Sequence, residues 1–186
     1  ATRLRALADA LVRAGDVCHL RDDVDDVLAG KLLLNLNNGV CAVTGMTIAE
    51  SLRSRVTRSC FAILMREGLT VMREAGLHPA RVLALPPSWI ARLLTLPDAI
   101  VLRVAKSLAN VDPRAKSSTL QDLEAGKPTE IDELSGEIVR LAERAGVPAP
   151  ANRVMVELVH ELERAQRPLQ YVAPERLRIR IDAARQ

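Results

Sequence analysis

Aromatic side chains are almost missing from this sequence: its 186 residues include one Trp (Trp89), one Tyr (Tyr171) and one Phe (Phe61). A core without rings must be assembled from Leu, Val, Ile, Ala and Met. Leu and Ala favour helix, whereas strands draw on aromatic and β-branched side chains, so the composition points to a mainly α protein. The same scarcity leaves no stacking platform for a nucleic acid. The 26 basic and 23 acidic residues are interspersed, so the net charge of +3 is not gathered into the basic face that nucleic-acid binding requires. The three cysteines (Cys18, Cys41 and Cys60) are odd in number, sit in apolar surroundings and form no Cys-x-x-Cys; free buried thiols in a reducing compartment are expected. His19, His78 and His160 are scattered, with no metal-ligand spacing. There is no signal-peptide pattern, no uninterrupted apolar stretch of bilayer-spanning length, no Gly-x-Gly-x-x-Gly, no Walker loop and no Gly-x-Ser-x-Gly. The expectation is a cytoplasmic protein with neither membrane nor nucleic-acid partner. The chain opens on Ala rather than Met, which hints that it begins inside a longer gene product.

What is present is a succession of helical patterns with glycine stops. Residues 6–15 have helical spacing and end at Gly15. The run 16–20 (DVCHL) is β-like, and an isolated strand cannot satisfy its own ladder, so it asks for a sheet that this sequence does not obviously supply. Helix, short strand and new long helix read as the end of an α/β domain passing into something else: residues 1–21 as the tail of one domain, 22–186 as a helical domain. A very apolar helix is expected from Val24 to about Val43, with Asp22 or Asp23 as N-cap, and a second from Ile48 to Ala75, broken early and stopped at Gly76. Pro79, Pro86, Pro87 and Pro97 permit only short helices between His78 and Pro97. Further helices are expected over Asp98–Leu108, Leu120–Glu124, 129–146 (capped at Thr129 or Asp132) and Ala151–Ala165, with a polar loop from Asn110 to Ser118. The tail beyond Pro168 carries no clear pattern.

Two segments carry candidate chemistry. On a helix, residues 30–45 (GKLLLNLNNGVCAVTG) are apolar nearly all round, while Lys31, Asn35, Asn38 and Ala42 share one stripe. A Lys and two Asn on a buried helix are costly unless paired or facing a wet cleft. Either the stripe lines a substrate pocket, or Lys31 snorkels out and the Asn side chains bond neighbouring helices. In 117–132 (SSTLQDLEAGKPTEID), Ser117, Ser118, Thr119 and Thr129 all suit helix caps, and Glu130 suits a first turn, where the helix dipole favours a carboxylate. Helix punctuation explains each of these residues; a functional role requires the loop to present Ser118 and Glu130 to the same cleft. His160, beside Glu157 and Glu161 on a helix, reads as a surface residue.

Taken together, KLLLNLNN (31–38) and the long stretch from Ser117 to Asn152, with its Ser-Ser, Leu-Gln-Asp, Thr-Glu-Ile-Asp and Gly-Val-Pro, resemble the C-terminal domain of ketopantoate reductases (2-dehydropantoate 2-reductases) over about Asp23 to Gln166. The resemblance implies an all-helical domain of the 6-phosphogluconate-dehydrogenase-like type, preceded here by a remnant helix and strand of a Rossmann domain. That family reduces ketopantoate to pantoate, for pantothenate and coenzyme A synthesis, with NADPH held by an N-terminal Rossmann domain; this chain would be the substrate-binding and dimerisation half, inactive alone. Matched position by position, Lys31 is the catalytic Lys that polarises the carbonyl and protonates the alkoxide, partial burial helping it donate. Asn35 hydrogen-bonds the substrate or orders the Lys, Ser118 binds substrate, and Glu130 anchors the substrate hydroxyl or the Lys. Many members carry a further Asn two turns after the Lys, where this chain has Gly39, with Asn38 as the candidate replacement. An aromatic common two positions before the Lys is Ala29 here. These departures keep two alternatives open: reduction of another 2-keto acid, or a non-catalytic helical interaction module. A homodimer is expected.

Overall fold

A computed structural model describes residues 2–18, 20–81, 85–101, 103 and 112–186. Nine helices are delimited among them: α1 (Thr2–Arg13), α2 (Val24–Thr44), α3 (Ile48–Arg53), α4 (Arg55–Glu74), α5 (Pro87–Leu93), α6 (Ser118–Ala125), α7 (Ser135–Ala145), α8 (Pro150–Arg164) and α9 (Pro174–Ala184). No strand occurs among the described residues, as the composition implies.

The apolar girth of α2 determines the architecture. Its Leu33, Leu36, Val40, Cys41, Ala42 and Val43 are wholly enclosed because α4, α6 and α8 pack around it. Each enclosed Leu contributes about 1.5–3 kcal/mol through removal from water. By length and hydropathy α2 also passes as a membrane-crossing segment, contrary to the sequence expectation; a central core helix meets the same test, and most of α2's most apolar stretch is buried in the bundle. The helix ends at Gly45, whose φ of 69° gives the left-handed cap. Thr47 then starts α3 with a capping box: its hydroxyl accepts the Glu50 N–H, while the Glu50 carboxylate accepts the Thr47 N–H.

Several expectations are corrected. Asp23 occupies the N-cap position of α2 but makes no side-chain cap, because Arg21 takes both carboxylate oxygens at 2.7 and 2.6 Å. Of the β-like run 16–20, residues 16–18 and 20 belong to no strand, since no ladder partner is present, and residue 19 lies outside the described residues. The helix expected over 129–146 begins only at Ser135; residues 131–134 form turns instead. Residues 98–101 are helical as expected, while 102 and 104–111, with most of the remaining helix and the start of the polar loop, lie outside the described residues. The patternless tail forms α9, which buries Leu177 and Ile181 against α4 and α8.

Candidate active site

The stripe on α2 runs from solvent inward. Lys31 is exposed, Asn35 and Asn38 are half-buried and Ala42 is enclosed, over a rise of 1.5 Å per residue, so Lys31 and Asn38 stand about 10 Å apart along the helix. Lys31 and Asn35 line a cleft of about 380 Å³, shared with Asp25, Leu28, Glu133 and Glu137. The partial burial expected of Lys31 is not found.

Asn38 reaches the second segment. Ser117 is the N-cap of α6: its hydroxyl accepts the Leu120 N–H at 3.3 Å and donates to the Asn38 carbonyl at 3.3 Å. With Ser117 capping the helix, the Ser118 hydroxyl is left to turn outward. It accepts from Asn38 Nδ2 at 3.4 Å and donates to Glu130 Oε1. Three residues separated by 80 and 12 positions thus form one hydrogen-bonded chain, Asn38 to Ser118 to Glu130. Residue 39 faces the core instead: a Cβ on Gly39 would lie 3.3 Å from Met155 Cε and 3.4 Å from Ile131 Cδ1, inside the helix packing. Among the described residues no ion pair joins Lys31 to Glu130, and none of Asn38, Ser118 and Glu130 lines the cleft that Lys31 and Asn35 line.

Glu130 does not sit in the first turn of a helix, because α7 starts five residues later. It is carried instead by a strap of turns. The Glu130 carbonyl accepts the N–H groups of Glu133 and Leu134, and the Thr129 hydroxyl accepts the Ile131 N–H at 3.4 Å. From α8, Glu163 Oε1 accepts the Thr129 N–H at 2.8 Å, its Oε2 meets His160 Nδ1 at 2.6 Å, and His160 Nε2 meets Asp132 Oδ1 at 3.2 Å. The hydrogen bond to Glu163 is the main influence raising the His160 pKa, with burial opposing it and Asp132 adding to it. Burial alone would raise Glu163; His160 and Thr129 outweigh it and hold the carboxyl below its ordinary value. Sequence reasoning took His160 for a surface residue; it is half-buried and bonded to Glu163 and Asp132. The Glu three residues on was the available signal, whereas Asp132 is brought in only by the fold.

Chemically, the candidate residues offer an ammonium and an amide at the cleft (Lys31 and Asn35) and, further along α2, an amide, a hydroxyl and a carboxylate in the Asn38–Ser118–Glu130 chain. Such a set suits a small polar molecule. It does not suit the phosphates of a dinucleotide: the cleft around Lys31 holds the carboxylates of Asp25, Glu133 and Glu137, and the sequence has no glycine-rich phosphate loop. No group of His, Cys, Asp and Glu suited to a metal occurs among the described residues.

The helices superpose on a dimeric ketopantoate reductase from Staphylococcus aureus with a TM-score of 0.65 and 18% identity, covering 86% of this chain and 50% of that one; at that identity the likeness shows the fold alone. The family is shown by sequence: the family described as Ketopantoate reductase PanE/ApbA C terminal matches residues 23–163, and the chain belongs to it. It is 29% identical over 161 residues to a 2-dehydropantoate 2-reductase of Mesorhizobium japonicum, covering 86% of this chain and 44% of that protein. A crystal structure of a PanE/ApbA-family ketopantoate reductase from Ralstonia eutropha matches with a TM-score of 0.64 at 32% identity, over 86% of this chain and 48% of that one. The chain therefore spans less than half the length of these two reductases.

Proposed function

We propose that these 186 residues form the substrate-side domain of a cytoplasmic NADPH-dependent 2-dehydropantoate 2-reductase, acting with a nucleotide-binding domain that lies outside them. The observation that carries this reading is the chain Asn38–Ser118–Glu130, which starts on α2 one turn beyond Asn35 of the Lys31 cleft, because helix punctuation alone gives Ser118 no reason to bond Glu130. NADPH, held elsewhere, supplies the hydride. The residues of this chain bind and protonate. Glu130 accepts the substrate hydroxyl, Ser118 and Asn38 hold its polar end, and Asn35 orders Lys31 from one turn away. The Lys31 ammonium faces the keto oxygen, stabilises the negative charge that develops there and delivers a proton to it. An interaction module without catalysis would be expected to close Lys31 against Glu130; Lys31 instead stands exposed at an open cleft. The dimeric Staphylococcus aureus relative supports a homodimer here.

The test is NADPH oxidation by the protein of the complete reading frame, with ketopantoate and a series of other 2-keto acids, beside Lys31→Ala. The expected result is turnover of ketopantoate that falls by about 10²-fold or more in kcat with Lys31→Ala, the usual scale for a positioned proton donor. Turnover of a different 2-keto acid alone would reassign the substrate. A folded, NADPH-binding protein inert toward all of them would reject the enzyme reading.

A further inference from the structure

The segment carrying Glu130 departs from the helix that its sequence favours, and the side chains that hold it away come from α8. Glu163 takes the Thr129 N–H, one residue before Glu130, and His160 takes Asp132, two residues after it. The two α8 residues are themselves joined, at 2.6 Å. None of the three side chains belongs to the set that would touch substrate. We propose that Glu163, backed by His160, is a positioning residue that sets the Glu130 carboxylate against Ser118, and that the clasp is tight while His160 is protonated. The proposal rests on the reading of Glu130 as a substrate-binding group.

The ring geometry explains the dependence on protonation. Both nitrogens of His160 face carboxylate oxygens, Glu163 from its own helix and Asp132 from the strap, and these are the charged groups that act on it. Only the imidazolium donates at both nitrogens. Loss of the proton sets a lone pair against one carboxylate, so either the strap loses its Asp132 anchor or Glu163 is pushed from its place under Thr129. Because the pKa of His160 is raised, the clasp holds to higher pH than an ordinary imidazole would allow and loosens as the pH rises through that raised value. Glu163 is only about 20% exposed and His160 about 30%, so water does not readily replace either partner.

Two measurements test this, one without reference to turnover. In the ¹⁵N-labelled chain, the Thr129 amide resonance is expected to move with the same midpoint as the His160 ring protons, and to lose that dependence in His160→Gln. An amide that stays still through the His160 titration overturns the proposal whatever the enzyme does. In the protein of the complete reading frame, Glu163→Ala is expected to lower kcat/KM for the keto acid by about tenfold, the scale of one hydrogen bond to a charged group. Glu163→Gln, which keeps an acceptor for Thr129, should recover most of that loss. The alkaline limb of the pH–kcat/KM profile should shift in His160→Gln. Equal losses in the Ala and Gln variants, or an unmoved limb, overturn the positioning role. An inactive parent protein counts against the reductase reading instead, and the amide titration then decides the clasp alone.

Discussion

Among single residues, Arg58 shows most plainly how this bundle treats a charge. Its side chain is wholly buried in α4, yet each of its three nitrogens has a partner. Nη1 donates to the carbonyls of Leu52 and Arg53 at the end of α3, Nε to that of Leu94 just beyond α5, and Nη2 meets Asp98 at 2.5 Å. One guanidinium therefore supplies donors to the terminal carbonyls of α3, which are part-buried, and to the buried carbonyl at the end of the α5 segment. Removing it leaves those acceptors stranded, whereas removing Asp98, whose side chain is 56% exposed, leaves the carbonyl bonds intact. Arg58→Met is accordingly expected to cost about 1–3 kcal/mol in urea unfolding for the acceptors it strands, and Asp98→Asn, which keeps an acceptor for Nη2, less than that. Similar losses from the two variants would show that the ion pair, rather than the carbonyl set, matters. The site residues follow the same logic with less burial: Ser117 is used up by its cap, and that frees Ser118 for Glu130.

Helices in this chain stop where glycine permits, and the returning chain then exploits the stop. Gly45 ends α2 at positive φ, and the tail comes back across it. The Val172 N–H donates to the Val43 carbonyl at 2.9 Å, and the Tyr171 ring lies where a Cβ on Gly45 would stand, 2.6–2.8 Å away. Gly76 ends α4 with φ 76° and nothing within 4 Å. Gly76→Ala should therefore cost only the left-handed backbone penalty, about 1–2 kcal/mol, while Gly45→Ala should cost that plus displacement of Tyr171, about 2–4 kcal/mol in all. Equal costs in thermal unfolding would mean that the tail does not press on α2. These stops were legible in the sequence, as were the apolar girth of α2 and the amphipathic α8, because each depends on local pattern. The strap at 129–134 was not. Thr129 and Asp132 are good caps in isolation, but Glu163 and His160 hold the segment in turns, and their partnership exists only once α8 is folded against it. The candidate site divides in the same way. The Lys31–Asn35–Asn38 stripe is visible from helical spacing, whereas Ser118 and Glu130 were singled out by family resemblance and meet through tertiary structure. The structure of α9 escaped the sequence because its two buried anchors, Leu177 and Ile181, are set among four arginines between 176 and 185.

Across the whole molecule the packing is uneven. From α2 to α9 the helices bury one continuous aliphatic core, but α1 stands apart from it, with no extensive packing against any other helix among the described residues. Leu4, Leu7, Leu11 and Val12 of α1 are exposed at 60, 57, 38 and 54%, and Val24 and Leu28 at the start of α2 are exposed as well. A twelve-residue helix is marginal in water unless an apolar face is covered, since nucleation is costly and propagation adds little per residue. The backbone hydrogen bonds of α1 should thus open independently of the bundle, while those around Leu33 and Leu64 open only with global unfolding. Hydrogen exchange of the dilute chain is expected to label α1 within seconds and to leave the centres of α2 and α4 protected for orders of magnitude longer. Deleting residues 2–13 should leave the bundle's Tm within about 2 °C of its original value, because little core is removed. Protection of α1 equal to that of α2 at high dilution would refute this division. Protection that rises with protein concentration would instead identify the α1 face as the surface through which two copies associate, since apolar area of this kind is covered either by another part of the protein or by a partner.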